Sequence, residues 1–577
     1  MIRKLTGHFI AVIFGFLLVL PATGQETTKG NVEKTEYVKT FWDKAGKFPR
    51  TEGRILTEGF SGVGREHGHW KYWYSTGQLE QEVTYYKGKL HGKVTLYYEN
   101  GKVMHRGYFK EGVQDSIFTS WHSNGAMREE GNYILGNKSG TWKYYNDKST
   151  QIEEENIVDN KIFLMMHVDE QSGKPTITNG NGTLKYYYSG GRIRQEIGYE
   201  AGIMSGIFKE FNPAAVLIMQ GTYVKGIKQG EWKYFHHNGT VKEIIQYKND
   251  VPDGPYVMYY DNDSLNVTGA YANGKKTGQW KWHYENSKPD MTGSFVDGEQ
   301  DGEWIYYLNT GDTSYIAQYQ AGKKHGTWLY FYPGGKQWMK GDYANDEKNG
   351  NWTTWYESGQ ELSTGEYANG KEEGLWINYF ENGQVKDEGN FSKGKQSGLW
   401  KAYYPSGQVS YSGNFKEGYK SGGWKYYFQN GKLKDEGNYK VVERDNKFEK
   451  AMSSSNKEEK YKTSVQDGQW SSYSDRGDKT SDGEYKEGEM DGTWTYYYPG
   501  GVLKAHEMNY KNGKLNGKST SYGRTGKIST EIEYKDGVRH GSSKVYDKKG
   551  KLIEQKEYEN GRVKPGKDDV RFTPGGK

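Results

Sequence analysis

The sequence predicts an all-β fold, an elongated repeat array of antiparallel β-hairpins forming a long twisted single-layer meander sheet. Three observations carry that prediction. Glycine returns every 24 residues from Gly182 through Gly206, Gly230 and Gly254 to Gly422 without a slip. Between successive glycines stand two short aromatic and β-branched runs bounded by Gly, Asn, Ser or Pro, the pattern of strands joined by turns. No apolar spacing of 3.6 persists anywhere in the array, so helices have no foothold. Periodicity this strict marks stacked supersecondary units.

Composition agrees with thin, regular structure. Only 33% of the chain is hydrophobic, while 79 glycines and 51 tyrosines take the place of aliphatic core material, against about 45–50% apolar in ordinary domains. The absence of cysteine excludes disulfides, thiolate metal sites, a cysteine nucleophile and a lipidated cysteine. The 79 basic and 74 acidic residues are interspersed, which leaves no footprint for nucleic acid.

At the N-terminus Arg3 and Lys4 precede the apolar run Phe9 to Leu20, and Pro21 to Gly24 follow. The run is too short for a spanning helix and reads as a secretory signal peptide over 1–24, cleaved before Gln25. The chain is therefore expected to be secreted, periplasmic or at the cell surface, and not a lipoprotein. Residues 25–53 read as a linker or cap, 54–566 as the array and 567–577 as a tail. Register breaks near 147–181 and 442–467 each read as one more unit, giving about 21 in all.

With the periodic glycine as position zero, "TWLYFY" (Thr327 to Tyr332) forms the first strand of a unit and a run ending in "GDY" the second. Pro333, Pro405 and Pro499 stand where a two-residue turn would use an amide, so a three-residue loop with glycine last is expected. Side-chain alternation then sets position five (Tyr307, Phe331, Trp355, Tyr379, Tyr403, Tyr427) opposite position eleven. Position seventeen (Tyr343, Tyr367, Phe391, Phe415, Tyr439) is expected on the same face, making a structural spine. Position two (Trp232, Trp280, Trp304, Trp328, Trp352, Trp376, Trp400, Trp424) falls on the other face, beside position fourteen. Those indoles form a ladder that reads either as sheet cover or as a binding platform. Glycine at position fifteen is expected to leave room for a neighbouring ring.

The frame G-x-W-x-x-Y-Y-x-x-G-x-[VL], seen in "GLWINYFENGQVKDEGNFSKGKQS" (Gly374 to Ser397), resembles the MORN-repeat variant family, grouped with YwqK-like proteins and often labelled antitoxin. The resemblance runs from about Gly68 to Gly566. It implies an extended hairpin sheet and an interaction role, with toxin neutralisation in some members and scaffold or membrane-associated roles in classical ones. It brings no catalytic residue.

Chemistry is sparse. The 13 histidines are scattered, with His236 and His237 adjacent at a turn; neighbours in a strand point to opposite faces, which makes the pair a poor chelate. The carboxylates of "KDEGN" recur with the unit, whereas a catalytic pair is singular and pocketed. "GKST" at Gly517 to Thr520 lacks the spacing of a phosphate loop. The reading is a protein with no catalytic, cofactor or metal site, an extracytoplasmic scaffold for a protein partner or an envelope surface. Glycan binding through the Trp ladder and toxin neutralisation are the alternatives, with membrane association and end-to-end self-association through terminal strands as further expectations. Specificity is expected at the register breaks, around Phe163 to Thr178 and Arg444 to Tyr461.

Overall fold

The computed structural model describes residues 34–57, 64–445 and 460–564. The segments read as signal peptide and tail lie outside the described residues. The chain divides into two units, up to Lys228 and from Gln229. In each, antiparallel strands of about eight residues follow one another as hairpins, with no helix among the described residues.

The unit from Gly374 shows how sequence becomes hairpin. Lys371–Tyr379 pairs with Val385–Ser392, with Tyr379 opposite Val385. The Phe380 amide bonds to the Gln384 carbonyl and the Gly383 amide to the Phe380 carbonyl. This is the expected three-residue loop, closed by Gly383 at φ 84°. At the other end of the strands, Asn369 and Gly370 both take positive φ while Ala368 pairs with Lys371. Two-residue turns of the mirror-image type therefore join one unit to the next, because their twist suits the strands. The two turn types occupy opposite margins of the sheet.

One bulge that the sequence pattern did not disclose reassigns the faces. Asn378 pairs with Asp387, yet its neighbour Tyr379 pairs with Val385, so Lys386 is the extra residue. An extra residue reverses the alternation beyond it. The expectation that position seventeen shares the face of position five is thereby corrected: Phe391 stands on the face of Trp376, ring centroids 6.1 Å apart. The cross-strand partner of Trp376 is Gly389 at position fifteen, and not the residue at position fourteen.

Gly374, the strictly periodic residue, has φ +67° and sits in a second bulge, where Thr364 and Glu366 face Ile377 and Glu373. A left-handed backbone at every unit explains the period better than packing does, since side chains there are strained.

Two boundaries also change. Lys34–Phe41 and Pro49–Thr57 pair as a hairpin, and the Trp70 indole lies over Gly53 and bonds to the Arg54 carbonyl. That is the junction between units found elsewhere, so the array begins before residue 54. Its signal was hidden by a longer loop from Trp42 to Phe48. The break near 147–181 is a shortened hairpin, Lys161–Val168 with Pro175–Thr178. The break near 442–467 shows no extra unit among the described residues: Leu433–Asp445 pairs with Lys460–Tyr473 from Asp435 to Asp445. This is one hairpin with lengthened strands.

Candidate functional site

The expected binding ladder is the core. Trp232, Trp280, Trp304, Trp328, Trp352, Trp400 and Trp424 are each 0–3% exposed, and only Trp376 is half-buried. Trp280, Trp304, Trp352, Trp376, Trp400 and Trp424 each lie over the position-fifteen glycine of the preceding unit. A Cβ on Gly389 would stand 2.2 Å from Trp400, and one on Gly365 2.2 Å from Trp376. The indole N–H donates to the next carbonyl, Trp400 to Asn390 at 3.0 Å and Trp376 to Glu366 at 3.1 Å. Glycine at position fifteen thus does leave room for a neighbouring ring, as its recurrence implied.

Position seventeen fills the spaces between indoles edge-on. Tyr343, Trp352, Tyr367, Trp376, Phe391, Trp400, Phe415 and Trp424 follow one another with centroids 5.1–6.1 Å apart. A buried tryptophan removes about 150–250 Å² from water, about 4–6 kcal/mol as an upper figure. A cross-strand pair contributes about 0.2–1 kcal/mol, so the indole row dominates the stability of the sheet. Lysines at position 22, which sequence reasoning missed, close this row: Lys348 Nζ lies 4.1 Å from the Trp352 ring centre and Lys420 4.4 Å from that of Trp424. Desolvation holds both ammonium groups below their ordinary pKa. The seven buried rings offer no platform for a sugar, and for them the expectation of ligand stacking is corrected on that ground.

The open face is the other one. Tyr307, Phe331, Trp355, Tyr379, Tyr403 and Tyr427, expected as the structural spine, are all half-buried and form a stripe that solvent reaches. Carboxylates of the preceding unit steady several such phenols. Tyr403 donates to Glu388 at 2.6 Å, and Tyr97, Tyr145 and Tyr473 make the same contact with Glu82, Glu130 and Glu436. Desolvation and then the Glu388 contact push the Tyr403 phenol up to about 12.

The three-residue loops are bound to one another. Tyr356, Tyr404 and Tyr332 at position six donate to the carbonyls of Tyr379, Tyr427 and Trp355, and Asn382 donates to that of Pro405. His236 takes the same place, its ring 3.2 Å from the Tyr259 carbonyl and 2.5 Å from Asp261, so it serves the loop row. Among the described residues no group of three or more metal-ligating side chains is placed to hold an ion.

At the break near 147–181, Asp169 is 3% exposed and accepts from the Ser172 amide and hydroxyl and from Tyr187. These contacts overcome desolvation and hold the carboxylate at about 2. At the other break, Arg444 bonds to the Glu487 carbonyl at 2.8 Å, and Lys462 lies 4.0 Å from Glu417. The lengthened hairpin is thus braced on the turns at both sides, while residues 446–459 lie outside the described residues.

An all-β sheet of like hairpins, with its indoles buried on one face and a solvent-reached aromatic stripe on the other, is that of a repeat protein of the scaffold or binding type. The MORN repeat variant model matches nine segments: 66–87, 90–111, 228–249, 372–393, 396–417, 421–440, 490–512, 515–536 and 539–560. Repeats of the MORN repeat-variant family thus recur along the chain. No curated protein matches it significantly. Among solved structures, the Tc holotoxin pore of Photorhabdus luminescens aligns at 10% identity, 89% of this chain, 31% of that chain and TM-score 0.13. A TcdB2-TccC3 structure without its hypervariable C-terminal region aligns at 10% identity, 91% and 35% coverage and TM-score 0.10. The chain spans about a third of the length of those structures, and likenesses this slight carry no argument.

Proposed function

We propose that the protein is a non-enzymatic, extracytoplasmic scaffold that presents the open face of its sheet to a protein partner or an envelope surface. The observation that supports this reading is the inequality of the two faces. On the tryptophan face the indoles are buried among half-buried position-seventeen rings and lysines, whereas no side chain of the stripe from Tyr307 to Tyr427 in the second unit is buried, and the Tyr403 phenol is steadied by a carboxylate. Half-buried aromatic side chains held in place lose little conformational freedom on binding, which is why such residues anchor interfaces. The apolar run Phe9 to Leu20 behind Arg3 and Lys4 supports the location.

Affinity capture from source-cell envelopes, with the chain from Gln25 as bait, tests the proposal. The triple variant Tyr379→Ser, Tyr403→Ser, Tyr427→Ser should lose capture at least about tenfold while its buried-tryptophan fluorescence stays native. Undiminished capture by that variant would refute the open face as the binding surface.

A further inference from the structure

One unit departs from its neighbours at position one of the open face. Position one carries a side chain in the neighbouring units, Leu375, Leu399 and Gln469 among them, but glycine at Gly423. Gly423 pairs with Asn438, which belongs to the hairpin with lengthened strands. The missing side chain opens a notch of about 400 Å³ between these two hairpins. Gly413, Gly423 and Gly437 line it together with Leu399, Asn438 and Gln469. Leu399, an apolar wall, is 50% exposed. The Asn438 amide oxygen stands 3.7 Å from where a Cβ of Gly423 would be, so it borders the void directly. Lys425 and Glu436, 3.6 Å apart, complete the lining with opposite charges that cancel.

We propose that this notch is a binding subsite for a neutral oligosaccharide; the proposal rests on the reading of the open face as the binding surface. Its chemistry selects the ligand class. Two amides, an ammonium and a carboxylate supply donors and acceptors around a flat floor without side chains, the arrangement that suits a ring of hydroxyl groups. Cancelled charge disfavours an ionic ligand. An extended peptide finds no continuous row of backbone partners here: the ladder is interrupted only locally, where Gly423 and Gly437 stand in bulges between paired residues, and a sheet edge is what offers such a row.

The test is binding of uncharged tetrasaccharides (maltotetraose, cellotetraose and N-acetylated chitotetraose) to the whole chain, by calorimetry and ligand-observed NMR. Gly423 has ordinary backbone angles and room for a Cβ, whose nearest neighbour is 3.7 Å away, so Gly423→Gln should fold normally and fill the notch. At least one tetrasaccharide should bind, Gly423→Gln and the pair Asn438→Ala, Gln469→Ala should each weaken it about tenfold or more, and Leu375→Gln, two units upstream, should leave it unchanged. Absence of binding by all three sugars, or binding indifferent to Gly423→Gln, overturns the proposal. So does a peptide that Gly423→Gln displaces in place of sugar. Envelope capture that persists in the absence of sugar binding refutes this inference alone, whereas loss of capture in the tyrosine triple variant bears on the wider reading.

Discussion

Two glycines of the same unit are required for different reasons, and substitution should separate them. At Gly374 a Cβ would meet only a Glu366 carboxylate oxygen at 3.7 Å, but φ is +67°. Gly374→Ala should therefore cost about 1–2 kcal/mol of conformational strain, read from chemical denaturation. At Gly389 the obstacle is the Trp400 ring at 2.2 Å, and Gly389→Ala should cost about 1–3 kcal/mol through overpacking, with altered tryptophan fluorescence that Gly374→Ala lacks. Ala317 sets the scale, since it occupies position fifteen at 0% exposure while Trp328 still donates to the Gln318 carbonyl at 3.1 Å. Equal fluorescence in both variants would contradict this division. Tyr403 adds a pH dependence. Its folded pKa is raised from 10.0 to about 12, so the unfolded chain loses that proton first. The contribution is complete below pH 10 and declines as pH rises towards about 12. Tyr403→Phe should flatten the denaturation midpoint across that window, and an unaltered slope would dismiss the Tyr403 phenol as its source.

At the scale of the hairpin, each unit is completed by the next. The indole of one covers the glycine of the one before it, and the loop tyrosine reaches a carbonyl 23 residues on. Trp400→Ala should cost about 3–5 kcal/mol and expose amides of the strands Val385–Ser392 and Lys395–Tyr403 to hydrogen exchange, while Trp376→Ala, at the half-buried ring, should cost less. Equal losses would mean that burial does not rank the indoles. The hairpin Leu433–Asp445 with Lys460–Tyr473 is held on its neighbour by Arg444. Arg444→Ala should raise exchange of the Val441 to Asp445 amides without changing the midpoint of the remaining sheet.

Over the whole molecule, strands pair with their chain neighbours within each unit, so stability is a sum of local and nearest-neighbour contributions. Unfolding of the second unit should not be two-state. Trp352→Ala should lower protection around Gly341 and Trp352 and leave hairpins beyond Gly468 protected; uniform loss throughout would reveal global cooperativity instead. The division of labour between faces belongs to this scale as well. A single-layer sheet lacks a second layer to cover either side, and here tryptophans seal one side while the other stays available.

Much of this was legible in the chain. The 24-residue period, the hairpin unit, the three-residue loop at Pro333 and Pro405 and the room left by position-fifteen glycines all follow from local rules of backbone conformation and side-chain size. The functional assignment of faces was not, because one unpaired residue at Lys386 inverts the alternation and has no signature of its own in a run of polar residues. For the same reason Trp232 to Trp424 were placed on the correct side of Tyr379 but not recognised as buried, and Phe391 was put with the wrong partner. The notch at Gly423 is visible in sequence only as one more glycine among 79. The sequence by itself determined the repeat and its turns, which depend on neighbours along the chain; the tertiary structure alone decided which aromatics are core and which face solvent, since that depends on strand pairing across a bulge.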